Sequence, residues 1–390
     1  MEVKPGYKQT EVGVIPEEWE VAKVGEISRV IRGASPRPKG DRRYYGGPVP
    51  RLMVEDVTRD GKTVFPQVDS LTEEGAKLSR PCKKGTLTIV CSGTVGIPSF
   101  LGVDACIHDG FLALVSIRKA VSSDYLYYQF DRLRLSFESS ATHGGVFTNL
   151  TTAGVREFIV PLPPTETEQR AIATALSDVD ALLGGLDRLI AKKRDLKQAA
   201  MQQLLTGQTR LPVFSGEWEV KRLGEVCGIT TGKKDVNEGN PNGQFPFFTC
   251  SRSHTYSDSY SFDTEAILIA GNGEVGNLHY FKGKFEAYQR TYILSEFTAH
   301  IRYLWQQLNA RLADALGLGK IGSSIPYIKK ENLVDFEFNS PLDTEEQTAI
   351  ASVLSEMAGE LAVLEQRREK TRALKQAMMQ ELLTGRTRLL

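Results

Sequence analysis

The segment from Arg29 to Arg51 concentrates positive charge, with seven cations against one anion. Two tyrosines lie in the same segment among glycines and prolines, which are typical of a loop. Arginine forks suit phosphate oxygens and guanine edges, and aromatic faces can meet bases. We therefore predict a loop that contacts nucleic acid, while a basic loop that is merely solvated remains the alternative. The candidate contacts in this loop are Arg32, Arg37, Lys39, Arg42, Arg43, Tyr44, Tyr45 and Arg51.

A second polar segment begins at Gly232 and reads GKKDVNEGNPNGQFPFFTCSR, with Asn, Gln and Thr in place of most of the cations. Amide and hydroxyl side chains exchange hydrogen bonds with base edges, so this different chemistry suggests a second half-site of different sequence. Each further candidate could equally be an ordinary surface or core residue. These candidates are Thr148, Asn149, Lys233, Lys234, Arg252, His254, Tyr256, Tyr288, Gln289, Arg290, Ser323 and Tyr327.

Sequence patterns that carry catalysis are missing. The chain has no Walker A sequence, no HExxH, no GxSxG and no Asn/Asp-Pro-Pro-Tyr/Phe motif of the kind that amino-methyltransferases use. Its five histidines lack metal-ligand spacing, and its five cysteines are odd in number and form no CxxC pair. We therefore expect no catalytic residue, no metal site and no disulfide framework.

The stretch Gly271–Gly276 fits the G-x-G-x-x-G pattern of dinucleotide sites. The residues that follow it, NLHYFKGKF, alternate like a strand, whereas a phosphate site needs the start of a helix there. The stretch SGTVG at residues 92–96 is also followed by a strand pattern. We predict that both stretches are hairpin turns in which glycine supplies a positive φ.

Two long blocks repeat along the chain. EQRAIATALSDVDALL from Glu168 matches EQTAIASVLSEMAGEL from Glu346, and LKQAAMQQLLTGQTRL from Leu196 matches LKQAMMQELLTGRTRL from Leu374. Both matches keep an offset of 178 residues. A third match, EWEVAKVGEISRVIRG with EWEVKRLGEVCGITTG, has an offset of 199 residues. The chain is therefore a tandem of one unit that carries two different inserts.

Each repeated block predicts a long helix. Apolar residues at positions 172, 176, 179, 183, 186 and 190, and again at 350, 354, 357, 361 and 364, alternate in steps of four and three, as in the seam of a coiled coil. Prolines precede both blocks, and Gly207 and Gly385 follow them as helix stops. We expect an antiparallel pair within one molecule. Dimerisation of each helix with another subunit is the alternative.

The segments between the blocks, residues 20–160 and 219–340, predict two mixed α/β domains because short apolar runs alternate with turn residues. The chain has 390 residues, of which 41% are hydrophobic, and a net charge of zero, so any electrostatic argument for nucleic acid must be local. Its start lacks a signal-peptide pattern, and no apolar run reaches about 18 to 20 residues. We therefore expect a cytoplasmic protein.

These features together resemble the specificity subunit of Type I restriction-modification systems. The resemblance is carried by PTETEQRAIA and TEEQTAIA at the predicted helix starts, by the two LKQAxMQxLLTGxTRL endings and by the WEV…GE…G openings. VIRGASPRPKGDRRYYGGPVPRL and FPFFTCS…EAILIAGNGEVGNLHYFKGKFEAYQRTYIL are similar to parts of the family's target recognition domains. The resemblance covers essentially the whole chain.

The resemblance implies a mixed α/β fold in which two long antiparallel coiled-coil helices separate two target recognition domains. The arrangement would be a tandem pseudo-repeat with quasi-circular organisation, because the C-terminal LTGRTRL duplicates the LTGQTRL that leads into the second unit. The two chain ends should then lie close together. The expected segments are recognition domains at residues 1–160 and 208–340 and spacer helices at residues 161–207 and 341–390.

The family's function would make this chain a non-catalytic reader of a split, asymmetric site in double-stranded DNA. Its partners would be two methyltransferase (M) subunits and the restriction (R) subunits, which would hold S-adenosylmethionine and ATP. Two alternatives remain open at this point. One is a coiled-coil scaffold with two protein-binding heads, and the other is a methyltransferase in its own right.

Overall fold

The computed structural model of the chain describes residues 4–141, 150–317 and 327–389. Packing divides the chain into two units. Unit 1 is Met1–Gly185 together with Arg368–Leu390, and unit 2 is Leu186–Arg367. Each unit therefore takes one half of each repeated helical block and one of the two segments that lie between the blocks.

Unit 1 is rich in short strands. These are β1 (Tyr7–Thr10), β2 (Gly13–Pro16), β3 (Glu20–Lys23), β4 (Arg29–Arg32), β5 (Tyr45–Leu52), β6 (Thr63–Val64), β7 (Asp69–Leu71), β8 (Pro81–Cys82), β9 (Leu87–Val90), β10 (Pro98–Leu101), β11 (Ala105–Ile107), β12 (Phe111–Val115) and β13 (Ile159–Leu162). Its helices are α1 (Val24–Ile27), α2 (Val54–Asp60), α3 (Glu73–Leu78), α4 (Ser123–Ala141), α5 (Thr152–Glu157) and the first part of α6 (Glu166–Leu204).

Two sheets organise unit 1, in the orders β4-β12-β9-β10-β6 and β7-β5-β11-β8. Nearly every residue of β9 and β12 is buried, because apolar side chains fill both faces of these central strands. The larger core joins Leu112 of β12 to Tyr125 of α4 and Ile172 of α6. The first sheet therefore packs against α4 and the start of the long helix.

Unit 2 contains fewer and longer strands. These are β14 (Trp218–Arg222), β15 (Gly228–Thr231), β16 (Phe245–Phe248), β17 (Thr255–Ser257), β18 (Phe262–Ala270), β19 (Leu278–Ala287), β20 (Thr291–Ser295) and β21 (Glu337–Pro341). Its helices are the second part of α6, α7 (Leu223–Val226), α8 (Ile301–Ala315), α9 (Lys330–Val334) and most of α10 (Thr344–Leu382), with a 3₁₀ turn at Val236–Glu238.

One sheet dominates unit 2, in the order β15-β20-β18-β19-β16-β17. Strands β18 and β19 pair antiparallel along their length, so Gly271–Gly276 is a hairpin turn, with Gly273 and Gly276 at φ +60° and +81°. The turn between the antiparallel strands β9 and β10 likewise holds Gly93 and Gly96 at φ +76° and +89°. Both predicted turns are confirmed, and neither stretch opens a helix that could bind a phosphate.

The two long helices pair within the chain and run antiparallel in each unit. In unit 1, Lys375 of α10 bonds to Asp180 of α6 at 2.8 Å. Although burial disfavours its charge, the carboxylates of Asp131 and Asp180 raise the pKa of Lys375. In unit 2, Lys193 lies 2.6 Å from Glu360. The residue number therefore rises from 180 to 193 along α6, while that of the partner in α10 falls from 375 to 360. This confirms the predicted antiparallel pair.

A repeated ion pair ties the end of each helical block to the start of the other. In unit 2, Arg210 of the LTGQTRL motif bonds to Glu346 through Nε at 2.5 Å and Nη2 at 2.6 Å. In unit 1, Arg388 of LTGRTRL bonds in the same way to Glu168. The preceding glycines Gly207 and Gly385, at φ +73° and +70°, end the helices as predicted.

The chain ends of unit 1 meet, as the duplicated motif predicts. The Tyr7 hydroxyl donates to the carbonyl oxygen of Gly385 at 3.3 Å. A Cβ on Gly385 would lie 3.1 Å from the ring of Trp19 and 2.5 Å from Pro16. Unit 1 therefore includes the LTGRTRL segment from the C-terminus. The equivalent LTGQTRL segment of unit 2 lies directly before the first strand of that unit. The mixed α/β fold and its quasi-circular organisation are confirmed.

A buried polar network also repeats, and the sequence comparison missed it. Tyr125 and Gln129 of α4 bond to the carbonyl oxygens of Pro161 and Leu383, at 2.8 and 3.0 Å. Tyr303 and Gln307 of α8 bond to those of Asn339 and Leu205, at 2.7 and 2.9 Å. The shared pattern Tyr-Leu-x-x-Gln keeps the offset of 178 residues, so extending the repeat upstream would have found it.

Candidate nucleic-acid interfaces

Gly33 brings the basic loop of unit 1 against the sheet. Its amide donates to the carbonyl oxygen of Phe111 at 2.9 Å, and a Cβ at this position would lie 1.9 Å from the carbonyl oxygen of His108. Only glycine allows such an approach of two backbones. The loop at residues 33–44 therefore begins beside the turn that precedes β12.

Four cations of this loop face solvent, and two of them lie near a carboxylate, Arg43 by Asp41 and Arg37 by Asp109. Arg37, Lys39, Arg42 and Arg43 are exposed. Arg43 bonds to Asp41 at 2.7 Å and lies 5.2 Å from the centre of the Tyr44 ring. The hydrogen bond from Arg43 holds the pKa of the Asp41 carboxyl below its usual value. All four side chains are exposed enough to reach phosphates or base edges.

Arg51 and Tyr45 hold the loop from inside. Arg51 is only 2% exposed, and its guanidinium bonds to Asp69 and to the Ser35 hydroxyl, both at 2.5 Å. The Tyr45 hydroxyl donates to the carbonyl oxygen of Pro36 at 2.7 Å, with Arg51 over its ring. The sequence placed both residues among the candidate contacts, and the structure gives Arg51 an interior position that anchors the loop.

Three segments meet at the edge of the first sheet in unit 1. The Cys91 amide donates to the carbonyl oxygen of Gly110 at 2.8 Å, and the Leu150 amide donates to that of Cys91 at 2.9 Å. Arg32 donates from Nε to the carbonyl oxygen of Asp109 at 2.9 Å. The basic loop, the turn after β9 and the turn at residues 108–110 therefore form one continuous surface.

Unit 2 repeats this arrangement contact by contact. The Gly232 amide donates to the Thr291 carbonyl oxygen at 3.2 Å. The Gly271 amide donates to the carbonyl oxygen of Arg290 at 2.9 Å, and the Ile328 amide donates to that of Gly271 at 2.7 Å. Each bond has the counterpart in unit 1 described above. The turn at residues 288–290 therefore corresponds to the turn at residues 108–110.

Several candidates of unit 2 share this surface. Lys234 pairs in parallel with Tyr288 as an isolated β-bridge, and its backbone oxygen accepts from Gln289 at 3.0 Å. The side chain of Lys234 is held by Ser259 at 2.6 Å and by the buried Glu286 at 3.5 Å. Lys233, Gln289 and Arg290 are exposed beside it. Lys234 is thus held in place while its neighbours face solvent.

The turn after β16 carries further exposed candidates. Arg252 is 84% exposed and lies 3.4 Å from Glu274 of the neighbouring hairpin turn. The rings of His254 and Tyr256 stack edge to face at 5.3 Å. Tyr327 is exposed directly before Ile328, which bonds to the same hairpin. The remaining candidates lie outside the described residues; these are Thr148, Asn149 and Ser323.

Sequence reasoning missed His108 and Asp109. The imidazole of His108 is partly exposed, and burial lowers its pKa. Asp109 is 40% exposed at its side chain and lies 3.8 Å from Arg37. An aspartate within a basic surface gives no signal in a search for cations. Only the match of this turn to residues 288–290 draws attention to it.

A family model described as the Type I restriction modification DNA specificity domain matches residues 16–191 and 215–371. The two matches together cover most of the chain. The chain belongs to the Type I restriction-modification specificity family. Each match contains one of the surfaces described above, so this family member carries two copies of the specificity domain.

Named relatives agree with this assignment. The specificity subunit of the Type I restriction enzyme EcoDI from Escherichia coli is 35% identical over 175 residues, an alignment that covers 45% of this chain and 38% of that subunit. The MjaVIII specificity subunit from Methanocaldococcus jannaschii is 25% identical over 96% of this chain and 94% of its own length. The chain thus spans well under half of the first relative and nearly all of the second.

Solved structures show the same fold. The crystal structure of a Type I restriction-modification S subunit from M. genitalium matches with a TM-score of 0.64 and 15% identity, over 98% of both chains. A chain from a structural study of complex assembly and conformational transition in the type I R-M system matches with a TM-score of 0.59 and 17% identity, over 96% of this chain and 99% of that one.

Within residues 4–141, 150–317 and 327–389, no group of three or more His, Cys, Asp or Glu side chains is arranged to hold a metal ion. Across the same residues, no helix is long and apolar enough to cross a membrane.

Replacing Gly232 with alanine should disturb the surface of unit 2. The new Cβ would lie 2.0 Å from the carbonyl oxygen of Ala287, so the loop or the turn at residues 288–290 must move, at an expected cost of about 1 to 3 kcal/mol in the free energy of unfolding. Gly216→Ala is the matched control, because nothing lies within 4 Å of that position. Chemical denaturation of both variants checks this, and equal stabilities would contradict it.

Proposed function

We propose that this chain reads a split, asymmetric site in double-stranded DNA, with one of the two surfaces for each half. The observation that supports it is a shared scaffold with unlike side chains. The same backbone contacts present His108, Asp109 and a basic loop in unit 1, and Tyr288, Gln289 and Arg290 beside an amide-rich loop in unit 2. Base edges are read by side-chain chemistry, so the two surfaces would prefer different sequences.

The long helices would set the gap between the half-sites and dock the partners. Both α6 and α10 contribute residues to both units, so the connection between the units is helical. On unit 2, Leu189 and Leu196 of α6 lie seven residues apart and remain 41% and 48% exposed. Exposed apolar residues at this spacing suit a partner helix. We propose that the paired long helices dock the two methyltransferase (M) subunits, with this face of unit 2 as one contact, and that the restriction (R) subunits join that assembly.

The chain itself would recognise DNA without catalysis. S-adenosylmethionine and ATP would bind to the partner subunits, since the sequence carries no motif for either. Its net charge of zero predicts modest affinity for DNA when the chain is alone, so the partners would supply much of the contact with phosphates. This role places the assembly with the genome in the cytoplasm.

Mapping methylated bases in the genome of a host, with and without this chain, tests the proposal. We expect a motif of two short sequences separated by a fixed gap, methylated only when the chain is present. An unchanged map, or a motif without a gap, would refute the proposal. Binding of S-adenosylmethionine to the isolated chain would instead favour a methyltransferase in its own right.

Removing charge from the basic loop should weaken binding to DNA. If Arg42 and Arg43 contact only phosphate, Arg42→Ala/Arg43→Ala should lower affinity evenly across sequences. The slope of log affinity against log salt concentration should then fall by about 1 per lost contact. If one of these arginines instead contacts guanine, its loss should cost about 1 to 3 kcal/mol of binding free energy at one position of the site. The measurement is binding by the assembled complex to cognate and scrambled duplexes over a range of salt.

The double variant Lys83→Ala/Lys84→Ala is the matched control for charge. Both lysines are exposed just before β9, at the opposite end of that strand from Cys91. We expect this control to bind like the unchanged chain. Unchanged binding of Arg42→Ala/Arg43→Ala on both duplexes would remove the loop from the contact surface.

A further inference from the structure

We infer that the turn at residues 108–110 reads a base of the first half-site, with the Asp109 carboxylate accepting a hydrogen bond from an exocyclic amino group of adenine or cytosine. The inference rests on the proposed function and names a specificity-determining residue within it. The sequence analysis named no candidate in this turn, because it looked for concentrations of positive charge and Asp109 is an anion.

The position of the turn supports this role. Its Gly110 carbonyl oxygen accepts from Cys91, its His108 carbonyl oxygen faces Gly33, and the Phe111 carbonyl oxygen accepts from Gly33. The turn at residues 288–290 makes the same contacts with its own hairpin and loop, so Asp109 occupies the place of Gln289. The turn is held by the segments on both sides and forms the middle of the surface.

The chemistry of Asp109 separates it from its neighbours. A carboxylate repels phosphate, so within a basic surface it adds nothing to sequence-independent binding. It can accept a hydrogen bond from N4 of cytosine or N6 of adenine, which lie in the major groove. Its counterpart Gln289 both donates and accepts, which suits a different base edge. The two units would therefore differ in preference at the same structural position.

The surroundings leave the carboxylate available. Its side chain is 40% exposed, and its contact with Arg37 is long, at 3.8 Å, with Arg37 itself 75% exposed. Ion pairs of this kind are weak, so a base can displace the arginine. The Gly110 amide donates to Nδ1 of His108 at 2.9 Å. Nδ1 therefore carries no proton for Asp109 Oδ1, which also lies 2.9 Å away. We treat His108 as a positioning residue that fixes the turn.

The test uses the full chain in complex with its methyltransferase partner. Methylation mapping of the unchanged complex first defines both half-sites. Binding is then measured on duplexes in which each base pair of both half-sites is replaced in turn. The proteins compared are the unchanged chain, Asp109→Ala, Asp109→Asn and the control Asp104→Ala. Asp104 is an exposed aspartate paired with Lys83 at 2.8 Å, and its side chain is 58% exposed, against 40% for Asp109. Strand β11 separates it from the turn.

The unchanged chain and Asp104→Ala should lose about 5- to 160-fold in affinity at each specified position. Asp109→Ala should show these losses at every position except one, where the amino-bearing base no longer matters, and should keep its discrimination in the second half-site. Asp109→Asn keeps an acceptor oxygen, so it should retain part of the preference at that position.

Two results would overturn the inference. One is discrimination by Asp109→Ala at every position as in the unchanged chain. The other is an equal change on all duplexes, with Asp109→Asn matching Asp109→Ala. An equal gain would mean that the carboxylate acts only through its charge, and an equal loss that it only holds the turn. Both results leave the proposed function intact. If the unchanged complex shows no split site, the proposed function itself fails.

Discussion

Arg210→Ala should lower the free energy of unfolding by several times what an exposed ion pair contributes. The carboxylate of Glu346 has no exposed side-chain surface and receives two hydrogen bonds from Arg210, at 2.5 and 2.6 Å. Removing the guanidinium leaves a buried charge without a partner, which costs far more than losing a surface pair. Chemical denaturation followed by tryptophan fluorescence measures the change, since Arg210 lies 5.6 Å from the ring of Trp218.

Arg194→Ala is the matched control within the same unit. Arg194 pairs with Glu365, but its side chain is 57% exposed. Exposed pairs are worth about 0 to 1 kcal/mol, so this variant should unfold close to the unchanged chain. Equal stabilities of the two variants would show that the repeated arginine of the LTGxTRL motif does not stabilise the fold.

Adding one heptad to each long helix should lengthen the gap in the DNA site. Insertions after Ile190 in α6 and after Arg368 in α10 keep both apolar seams in phase. Seven residues add about 10 Å of helix, at about 1.5 Å per residue. At about 3.4 Å per base pair, we expect a gap about three base pairs longer, with both half-site sequences unchanged.

Methylation mapping with the lengthened chain measures this gap. Three base pairs also rotate the duplex by roughly a third of a turn, so we expect reduced activity on the new site. A heptad added to α6 alone is the control, and it should destroy the pairing of the two helices. A lengthened chain that still modifies sites with the original gap would show that the spacing is set elsewhere.

The regular elements were predictable because their signals are local. A coiled-coil seam, a glycine stop and a hairpin turn each depend on a few neighbouring residues, and α6, Gly207 and the Gly271–Gly276 turn follow from them. The pairing of the ends followed from the duplicated LTGxTRL motif, whose arginine finds the same buried glutamate in each unit.

The roles of single side chains at the surfaces were not predictable in the same way. Arg51 counts as one more cation in the sequence, but β5 pairs with β7 and brings Asp69 to it. Lys234 is held by Glu286, which lies on a distant strand. Asp109 belongs to the surface only because Gly33 brings the loop against it. Each role depends on contacts between segments far apart in sequence.

One methylation map tests most directly whether the two surfaces read two half-sites independently. The map compares the unchanged chain with Gln289→Ala/Arg290→Ala, which alters exposed side chains of unit 2 alone. We predict relaxed specificity at one or two positions of one half-site, at about 1 to 3 kcal/mol each, with the other half-site and the gap unchanged. Changes in both half-sites together, or in neither, would contradict it.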